Sequence, residues 1–431
     1  MKQFYKHLKQ CFGLVCLILN YSILFGQNNP IVTLQYCQSE AINNFPSAKD
    51  KALLQAASEL RIKIVDIAKL PTFSLNGQAT YQSDVITINL PLANGNQLSI
   101  NQAKDQYKAT LDVNQLIFDG GTTKHNRKVE ESSLAVNIQQ VDVDIFKVRE
   151  QVNNMYFMLL TLQESKKLLS TTLAEIKERE KVVASSVKNG VLISSDLDVL
   201  IAERLKIEQQ LDDIKYNRKA AVNILSILIS KPVADSSQFE LPLVEMKDSS
   251  TITRPEYKLF DLQGKQIEDN KQLISTIRMP KVYAFAQAGY GRPGLNMLSD
   301  KFNQFYIVGA TLKWTIWDWN KNNSERQILD IQKQMITTRR ETFDKNLNID
   351  LQNKLSAIQK IDEYIKRDSM IVEIRIRVVL SAASRLEHGV ITSTDYLTEL
   401  NAETIAKINF ETHKIQLIQA KANYMLAKGV F

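Results

Sequence analysis

Cysteine, proline and glycine are all scarce in this chain of 431 residues, which has three Cys, 9 Pro and 14 Gly. Three cysteines exclude a scaffold built on disulfides. So few helix-breaking residues over such a length favour long helices. The four histidines are scattered, and no two of them have the spacing of metal ligands.

The motifs of enzymes are missing as well. We find no arrangement for Ser-His-Asp or Cys-His catalysis and no glycine-rich phosphate loop. The carboxylates are spread over segments expected to be helical, where acids usually form a solvated face. The net charge of +7 is mild for this length and gives no reason to expect a nucleic-acid partner. We therefore expect no enzymatic activity, no cofactor and no bound metal.

Residues 1–26 predict a secretory signal peptide. Lys2, Lys6 and Lys9 precede a short apolar stretch, which the small residue Gly26 ends. A membrane anchor is the alternative, but no basic stop-transfer flank follows. No later segment reaches 18 consecutive apolar residues, so an exported protein of this sequence would enter a membrane through β-strands rather than helices.

The sequence contains an internal repeat. Three landmarks recur at an offset of 209 positions, namely Pro46 at Pro255, Pro71 at Pro280 and Tyr81 at Tyr290. Three later landmarks recur at an offset of 199, namely Asp119 at Asp318, Gly190 at Gly389 and Asp196 at Asp395. Two constant offsets predict a tandem duplication, with a loop about ten residues longer in the first copy.

Both copies have the same predicted order: a helix, two strands, a long helix and a return helix. The first copy covers residues 27–230, with strands at about 71–84 and 105–118, a long helix at 120–189 and a return helix at 194–230. The second covers residues 255–431, with strands at about 280–291 and 303–317, a long helix at 320–388 and a return helix at 393–428. Residues 231–254 form the linker between them.

The second strand of each pair alternates polar and apolar residues over about ten positions. This pattern is typical of a membrane-spanning β-strand, although a half-buried strand of a soluble sheet would share it. All three tryptophans crowd the end of the last strand, as in the aromatic belt of a membrane interface. These residues are Trp314, Trp317 and Trp319.

The long helices contain no proline, and glycine only at their very start. Apolar residues recur in them at steps of three and four, which indicates coiled-coil packing. A solvated hairpin without a channel is an open alternative. Four strands cannot close a barrel alone, because barrels need about eight or more strands. Three copies of the chain would supply twelve strands around one axis.

The repeat, the order of elements and the turn motif Gly-Val-x-x-Ser-[Ser/Thr]-Asp at Gly190 and Gly389 resemble the TolC family of outer-membrane efflux and secretion channels. The resemblance implies a mainly helical homotrimer with a small transmembrane β part. In that fold a twelve-stranded barrel, four strands per chain, continues into a long α-helical coiled-coil tunnel. It also implies a passive duct in the bacterial outer membrane that extends into the periplasm. Its partners would be a periplasmic adaptor protein and, through it, an inner-membrane transporter.

The resemblance assigns the periplasmic gate to aspartates six and nine positions after the glycine of the second hairpin. Asp395 matches the first place, whereas Thr398 departs from the second, and Asp196 is the counterpart of Asp395 in the first copy. Inward carboxylates on a three-fold axis would form a ring that filters ions by charge. Alternatively, they are ordinary carboxylates in the first turn of a helix. The family's arginine and tyrosine gate partners are replaced here by Ile391 and Leu386.

The remaining site predictions concern the helix turns and the strands. The residues predicted to dock the adaptor are Gly190, Val191, Leu192, Ser194, Gly389, Val390, Ile391 and Ser393; their apolar members could instead pack across their own hairpin. The side chains predicted to face the lumen are Lys108, Thr110, Asp112, Asn114, Thr311 and Lys313.

Two functional hypotheses remain open at this point. The first is a channel for drug or metal efflux, or for type I protein secretion. The second is a periplasmic adaptor or coiled-coil scaffold without a channel. Adaptors carry one helical hairpin, and this chain has two.

Overall fold

The computed structural model describes residues 31–91, 97–246, 251–296 and 299–430. The predicted signal peptide, residues 1–26, lies outside them. The chain forms two compact units. The described residues of the helical unit lie within 31–48, 144–254 and 346–430, and those of the sheet unit lie within 49–143 and 255–345.

The chain is mainly helical, as expected. The helices are α1 (Leu34–Asn44), α2 (Asp50–Ile67), α3 (Thr122–Lys188), α4 (Ser194–Ile229), α5 (Pro255–Ser275), α6 (Lys321–Glu387) and α7 (Ser393–Lys428). The strands are β1 (Ile31–Val32), β2 (Thr72–Tyr81), β3 (Thr87–Pro91), β4 (Gln97–Asn101), β5 (Asp105–Phe118), β6 (Gln238–Phe239), β7 (Lys281–Arg292) and β8 (Asn303–Lys313).

The long and return helices have equal lengths in the two copies of the repeat. The long helices α3 and α6 have 67 residues each, and the return helices α4 and α7 have 36 each. Each long helix begins after an aspartate that caps it. Asp119 accepts hydrogen bonds from the backbone N–H groups of Gly121 and Thr123, at 2.8 and 2.7 Å, and Asp318 accepts one from Asn322 at 3.1 Å.

Buried side chains spaced by seven residues join the helices near their turns. Leu169, Ile176 and Val183 follow one another in α3, and Leu200, Ile207 and Ile214 do so in α4. Val379 and Leu386 of α6 belong to the same cluster. A seven-residue apolar repeat is the pattern of a coiled coil. This cluster therefore places the two helix hairpins against each other inside the helical unit.

The sheet unit contains an antiparallel sheet of four strands in the order β2-β5-β7-β8. The longer loop of the first copy contains a separate hairpin, β3 with β4. In the linker, β6 pairs in parallel with β1. Tyr156 fastens this pair, because its hydroxyl donates to the carbonyls of Val32 and Glu240, at 2.8 and 2.7 Å.

The last strand is shorter than predicted. It ends at Lys313, which pairs with Lys281 at the start of β7, and not at residue 317. Pro280 precedes Lys281 and has no N–H group to continue the ladder. Trp314 instead donates its indole N–H to the carbonyl of Arg278 at 3.1 Å. Similarly, β2 ends at Tyr81 rather than at residue 84.

Candidate functional site

Both helix hairpins turn at a glycine in the left-handed region, with φ of +73° at Gly190 and +68° at Gly389. The N–H of Gly190 donates to the carbonyl of Val187, and the N–H of Val191 to that of Ser186, at 3.0 and 2.9 Å. The turn at Gly389 repeats both bonds at 3.0 and 2.8 Å. This is the Schellman end of a helix, which favours glycine because a side chain is strained at positive φ.

The residues predicted to dock a partner divide into two groups. Val191 and Val390 are 62% and 63% exposed, and Ser194 is exposed as well. Leu192 and Ile391 are half-buried against the apolar cluster of the two hairpins, and Ser393 is fully buried. Each turn therefore presents its valine to the surroundings and packs the next side chain inward, and the first turn also exposes Ile193, at 68%.

The three gate candidates also lie in different environments. Asp196 is buried, and its carboxylate accepts a hydrogen bond from the backbone N–H of Ser393 at 3.0 Å. The first turn of α4 thereby holds the first turn of α7. Asp395 and Thr398 are exposed and line an open groove on the second hairpin together with Arg385. Of the three, only these two offer a side chain to a neighbouring molecule.

A difference at the helix cap explains why the two aspartates diverge. In α7, Thr392 is the N-cap and forms a capping box with Asp395. The corresponding N-cap of α4 is Ile193, which has no hydroxyl group. Asp196 consequently has no cap partner in its own helix and bonds the neighbouring helix instead. Ser195 and Asp198 also have the spacing of a capping box, but both lie inside α4, which begins at Ser194.

The capping box sets the charge of the exposed gate candidate. Hydrogen bonds from the Thr392 hydroxyl and backbone N–H, with the nearby charge of Arg385, lower the pKa of the Asp395 carboxyl below its usual value. The group is therefore ionised throughout the physiological range. Three such groups on a three-fold axis would present three negative charges.

A polar cluster that sequence reasoning missed links the hairpins below the turns. The Tyr396 ring is fully buried, and its hydroxyl donates to Glu175 of α3 at 2.9 Å. Arg179 lies 5.2 Å from that ring and forms an ion pair with Glu387 at 2.6 Å. Burial raises the pKa of the Tyr396 hydroxyl, which stays protonated. These partners come from three helices and have no common spacing in the sequence.

The register of the sheet places all six predicted lumen residues on one face. Thr110 is aligned with Asn76 on one side and Gly289 on the other, and Asp112 lies between Ser74 and Gln287. Lys108 and Asn114 alternate with them on β5. Thr311 and Lys313 share the face through their partners Tyr283 and Lys281.

This polar face also carries aromatic residues that the sequence analysis did not single out. The Phe305 ring covers Gly289, where an added Cβ would lie 2.3 Å from the ring. The Phe285 ring likewise covers Gly309, at 2.7 Å. The Lys108 ammonium lies 5.3 Å from the Phe305 centroid. A search for large side chains opposite glycines on paired strands would have found both rings.

Asp112 is the centre of a hydrogen-bonded group on the same face. Its carboxylate accepts hydrogen bonds from the Thr110 hydroxyl and from the amides of Asn76 and Gln287. These donors come from three neighbouring strands, so they fix the pairing of β2, β5 and β7.

The opposite face of the sheet is apolar and exposed. Each strand contributes large side chains to it, and several are more than three-fifths exposed. These are Phe73, Leu75 and Tyr81 of β2 with Tyr306, Val308 and Leu312 of β8. Six such residues on one side of a sheet form a patch that a water-soluble monomer rarely leaves uncovered.

The three tryptophans lie just beyond the last strand. Trp314 is fixed to Arg278 by its indole N–H, whereas Trp317 and Trp319 are 70% and 86% exposed. The latter two rings contact each other edge to face, with centroids 5.9 Å apart. Among the described residues, none of the helices contains an apolar stretch of the length that a bilayer span requires. Across the same ranges, no cluster of His, Cys, Asp and Glu could hold a metal ion.

Comparison with known proteins agrees with this architecture. Residues 38–229 match the model of a family described as outer membrane efflux protein. The outer membrane protein VceC of Vibrio cholerae has 14% identity and a TM-score of 0.66, with 92% of this chain and 96% of that chain covered. The CmeC outer membrane channel of Campylobacter jejuni has 15% identity and a TM-score of 0.66, over 92% and 85% of the two chains.

The MtrE outer membrane channel of Neisseria gonorrhoeae, solved in an open state, gives 16% identity and a TM-score of 0.65 over 92% and 88% of the two chains. No protein with a curated description matches the sequence. The chain thus has the fold of these channels, and the predicted resemblance is confirmed. The matching family consists of transport proteins, in agreement with the expectation that the chain is not an enzyme.

Proposed function

From the match to the outer membrane efflux protein family and the channel fold of the chain, we propose that this protein is the outer-membrane duct of an export system. Three copies would close a twelve-stranded barrel in the outer membrane and continue it into the periplasm as a helical tunnel. The duct is passive, and an inner-membrane transporter drives export through a periplasmic adaptor.

One observation carries this proposal: the four-stranded sheet has one polar face and one exposed apolar face. A barrel wall with lipid outside and water inside needs this division. The outer strands β2 and β8 have no further partner among the strands that the structure describes. Each could pair with the opposite outer strand of another copy, which removes both open edges.

The helix turns are the proposed docking surface for the adaptor. Val191 and Val390 offer exposed apolar contacts, and the groove with Asp395, Thr398 and Arg385 adds charge. A helical hairpin of a partner protein would fit between such turns. Asp395 is the proposed gate residue of the tunnel end. The buried Asp196 stabilises the proposed gate indirectly, because its hydrogen bond to Ser393 fixes the first turn of α7.

The proposal is tested by purifying the full chain from the outer-membrane fraction in mild detergent and measuring its native mass and its conductance in planar bilayers. We expect a trimer that forms ion-conducting channels. A monomer in the soluble periplasmic fraction would contradict the proposal. The alternating strands would then be ordinary strands of an adaptor-like or scaffolding protein.

A further inference from the structure

We propose that the polar face of the sheet holds a binding site for aromatic organic anions, formed by Lys281, Lys313 and the ring of Phe285. The site lies at the end of the sheet that is followed by the long helices. The inference rests on the proposed function, in which this face lines the barrel lumen. It names the class of molecule that the duct passes, which the match to the family leaves open.

Lys281 and Lys313 lie directly opposite each other on the paired strands β7 and β8. Like charges in such a cross-strand pair repel each other. Lys313 is exposed and Lys281 is half-buried, and neither has a hydrogen bond or an ion pair among the described residues. A repulsive pair that nothing in the described chain compensates indicates a negatively charged partner from outside it.

The first copy of the repeat shows that the fold does not need these two charges. Thr72 and Asn114 occupy the equivalent positions, 209 and 199 residues earlier, and they pair with each other in the same way. The Thr72 hydroxyl donates a hydrogen bond to the Asn114 carbonyl at 3.3 Å. The second copy therefore has two repelling cations where a neutral, hydrogen-bonded pair is sufficient.

The polar face as a whole carries an excess of positive charge. Lys281 shares this face with Gln287, since residues an even number apart on a strand point to one side, and Gln287 donates to Asp112. The charged residues among the paired positions of the face are Lys108, Asp112, Lys281 and Lys313. The excess is two positive charges per chain, or six in three copies. A ring of lysines in a pore favours anions.

The Phe285 ring supplies an apolar surface on the same face. It covers Gly309, where an added Cβ would lie 2.7 Å from the ring, and the side chain is half-buried. The equivalent pair of the first copy is Asn76 with Thr110, so the first copy has two polar side chains at this place. An aromatic ring on a wall that faces water offers a surface on which another ring can stack.

The lysine pair and the ring together suit a molecule with an aromatic body and an anionic head. Lys281 and Phe285 are four residues apart on β7, which is about 13 Å of strand. The lysine side chain and a ligand of two fused rings bridge this distance between them. The ligand ring would stack on Phe285, and its carboxylate or sulfonate would lie at the lysine pair. Metal cations would be repelled by the same lysines.

The charge of the site is tested with full-length K281T/K313N, which carries the residues of the first copy and should therefore still form the barrel. The reversal potential of its channels in planar bilayers, under a salt gradient, gives the ratio of anion to cation permeability. We expect this ratio to fall roughly twofold or more relative to the unmodified channel. The comparison between variants leaves out the constant effect of Asp395 at the other end of the tunnel. K301N removes an exposed lysine just before β8 and should leave the ratio unchanged.

The ring is tested with three probes added on the side of the sheet. Naphthalenesulfonate should interrupt the current of the unmodified channel, whereas methanesulfonate, which has no ring, and naphthylmethylammonium, which has the opposite charge, should not. The variant F285N/G309T copies the Asn76–Thr110 pair of the first copy. It should shorten the interruptions about three- to tenfold.

Three results would overturn the site and leave the duct intact, because each requires a conducting channel. The first is an unmodified channel that naphthalenesulfonate does not interrupt, or that the ammonium probe interrupts equally. The second is a permeability ratio that K281T/K313N does not change. The third is interruptions of unchanged length in F285N/G309T. Failure of the unmodified chain to conduct would overturn the proposed function itself.

Discussion

At the scale of single residues, the buried carboxylate of Asp196 links the two hairpins. It accepts a hydrogen bond from the backbone N–H of Ser393 and is almost inaccessible to solvent. We expect D196A to leave that N–H unpaired and to destabilise the hairpin ends by about 1–3 kcal/mol. Hydrogen exchange at Ser393, followed by mass spectrometry, should become faster.

Asp198 provides the control for this substitution. It is exposed, lies two residues after Asp196 in α4 and makes no hydrogen bond or ion pair with α7 among the described residues. D198A should leave exchange at Ser393 unchanged. Equal acceleration by both substitutions would mean that the general charge of the turn, and not the bond to Ser393, holds α7.

The capping box of Asp395 should make the stability of the turn at Gly389 depend on pH. Because its folded pKa is lowered, the capping box contributes stability above the ordinary aspartate pKa, about 3.8, and loses it as the pH falls through the lowered folded value. Exchange of the peptide around Asp395 should be slower than in D395N at neutral pH. The difference should vanish in strong acid. A difference that grows on acidification would contradict this assignment.

At the scale of elements, the helix turns require glycine because of their backbone conformation and not because space is short. At Gly389 nothing lies within 4 Å of an added Cβ, yet φ is +68°. G389V should therefore cost about 1–2 kcal/mol through strain and should abolish export while the trimer persists. The measurement is export in cells, with trimer content determined by native mass.

Gly264 in α5 is the matched control for the turn. It also has open space around it, but its φ is not positive. G264A should stabilise the helix by about 0.5–1 kcal/mol and leave export unchanged. Normal export by G389V would remove this turn from the docking surface.

In the sheet, Gly289 is required for a different reason, because the Phe305 ring occupies the space that a side chain would need. We expect G289A to displace the ring from Lys108 and to destabilise the sheet by about 1–3 kcal/mol. G77A on β2 meets no atom within 4 Å and should have little effect. The temperature at which the trimer dissociates on gels measures both, and G289A/F305A should recover part of the loss.

The sequence was informative about elements and less so about contacts. The absence of proline and interior glycine was enough to predict both long helices, and the strict alternation in β5 predicted which side chains share a face. The end of β8 was predicted too late, because the alternation continues to Ile316 after Pro280 has ended the partner strand. Asp196 and Asp395 look equivalent in the sequence, and only the N-cap, Ile193 or Thr392, separates them.

At the scale of the whole molecule, α6 carries an exposed apolar row at Ile328, Ile331 and Met335. In the proposed trimer this row would be covered by another copy. I331D should then shift the native mass from trimer toward monomer, whereas Q332D, on the neighbouring exposed position, should not. A trimer that tolerates I331D would place this row outside the subunit contact.

The equal lengths of the paired helices constrain how this protein can change during evolution. With 67 residues in each long helix and 36 in each return helix, both turns lie the same number of residues from their starting points. An insertion in one helix alone would break the seven-residue register of its partners and misalign the two turns. Viable insertions or deletions should therefore come in steps of about seven residues. They should also occur together in all four helices, so that relatives with longer or shorter helices differ by whole heptads.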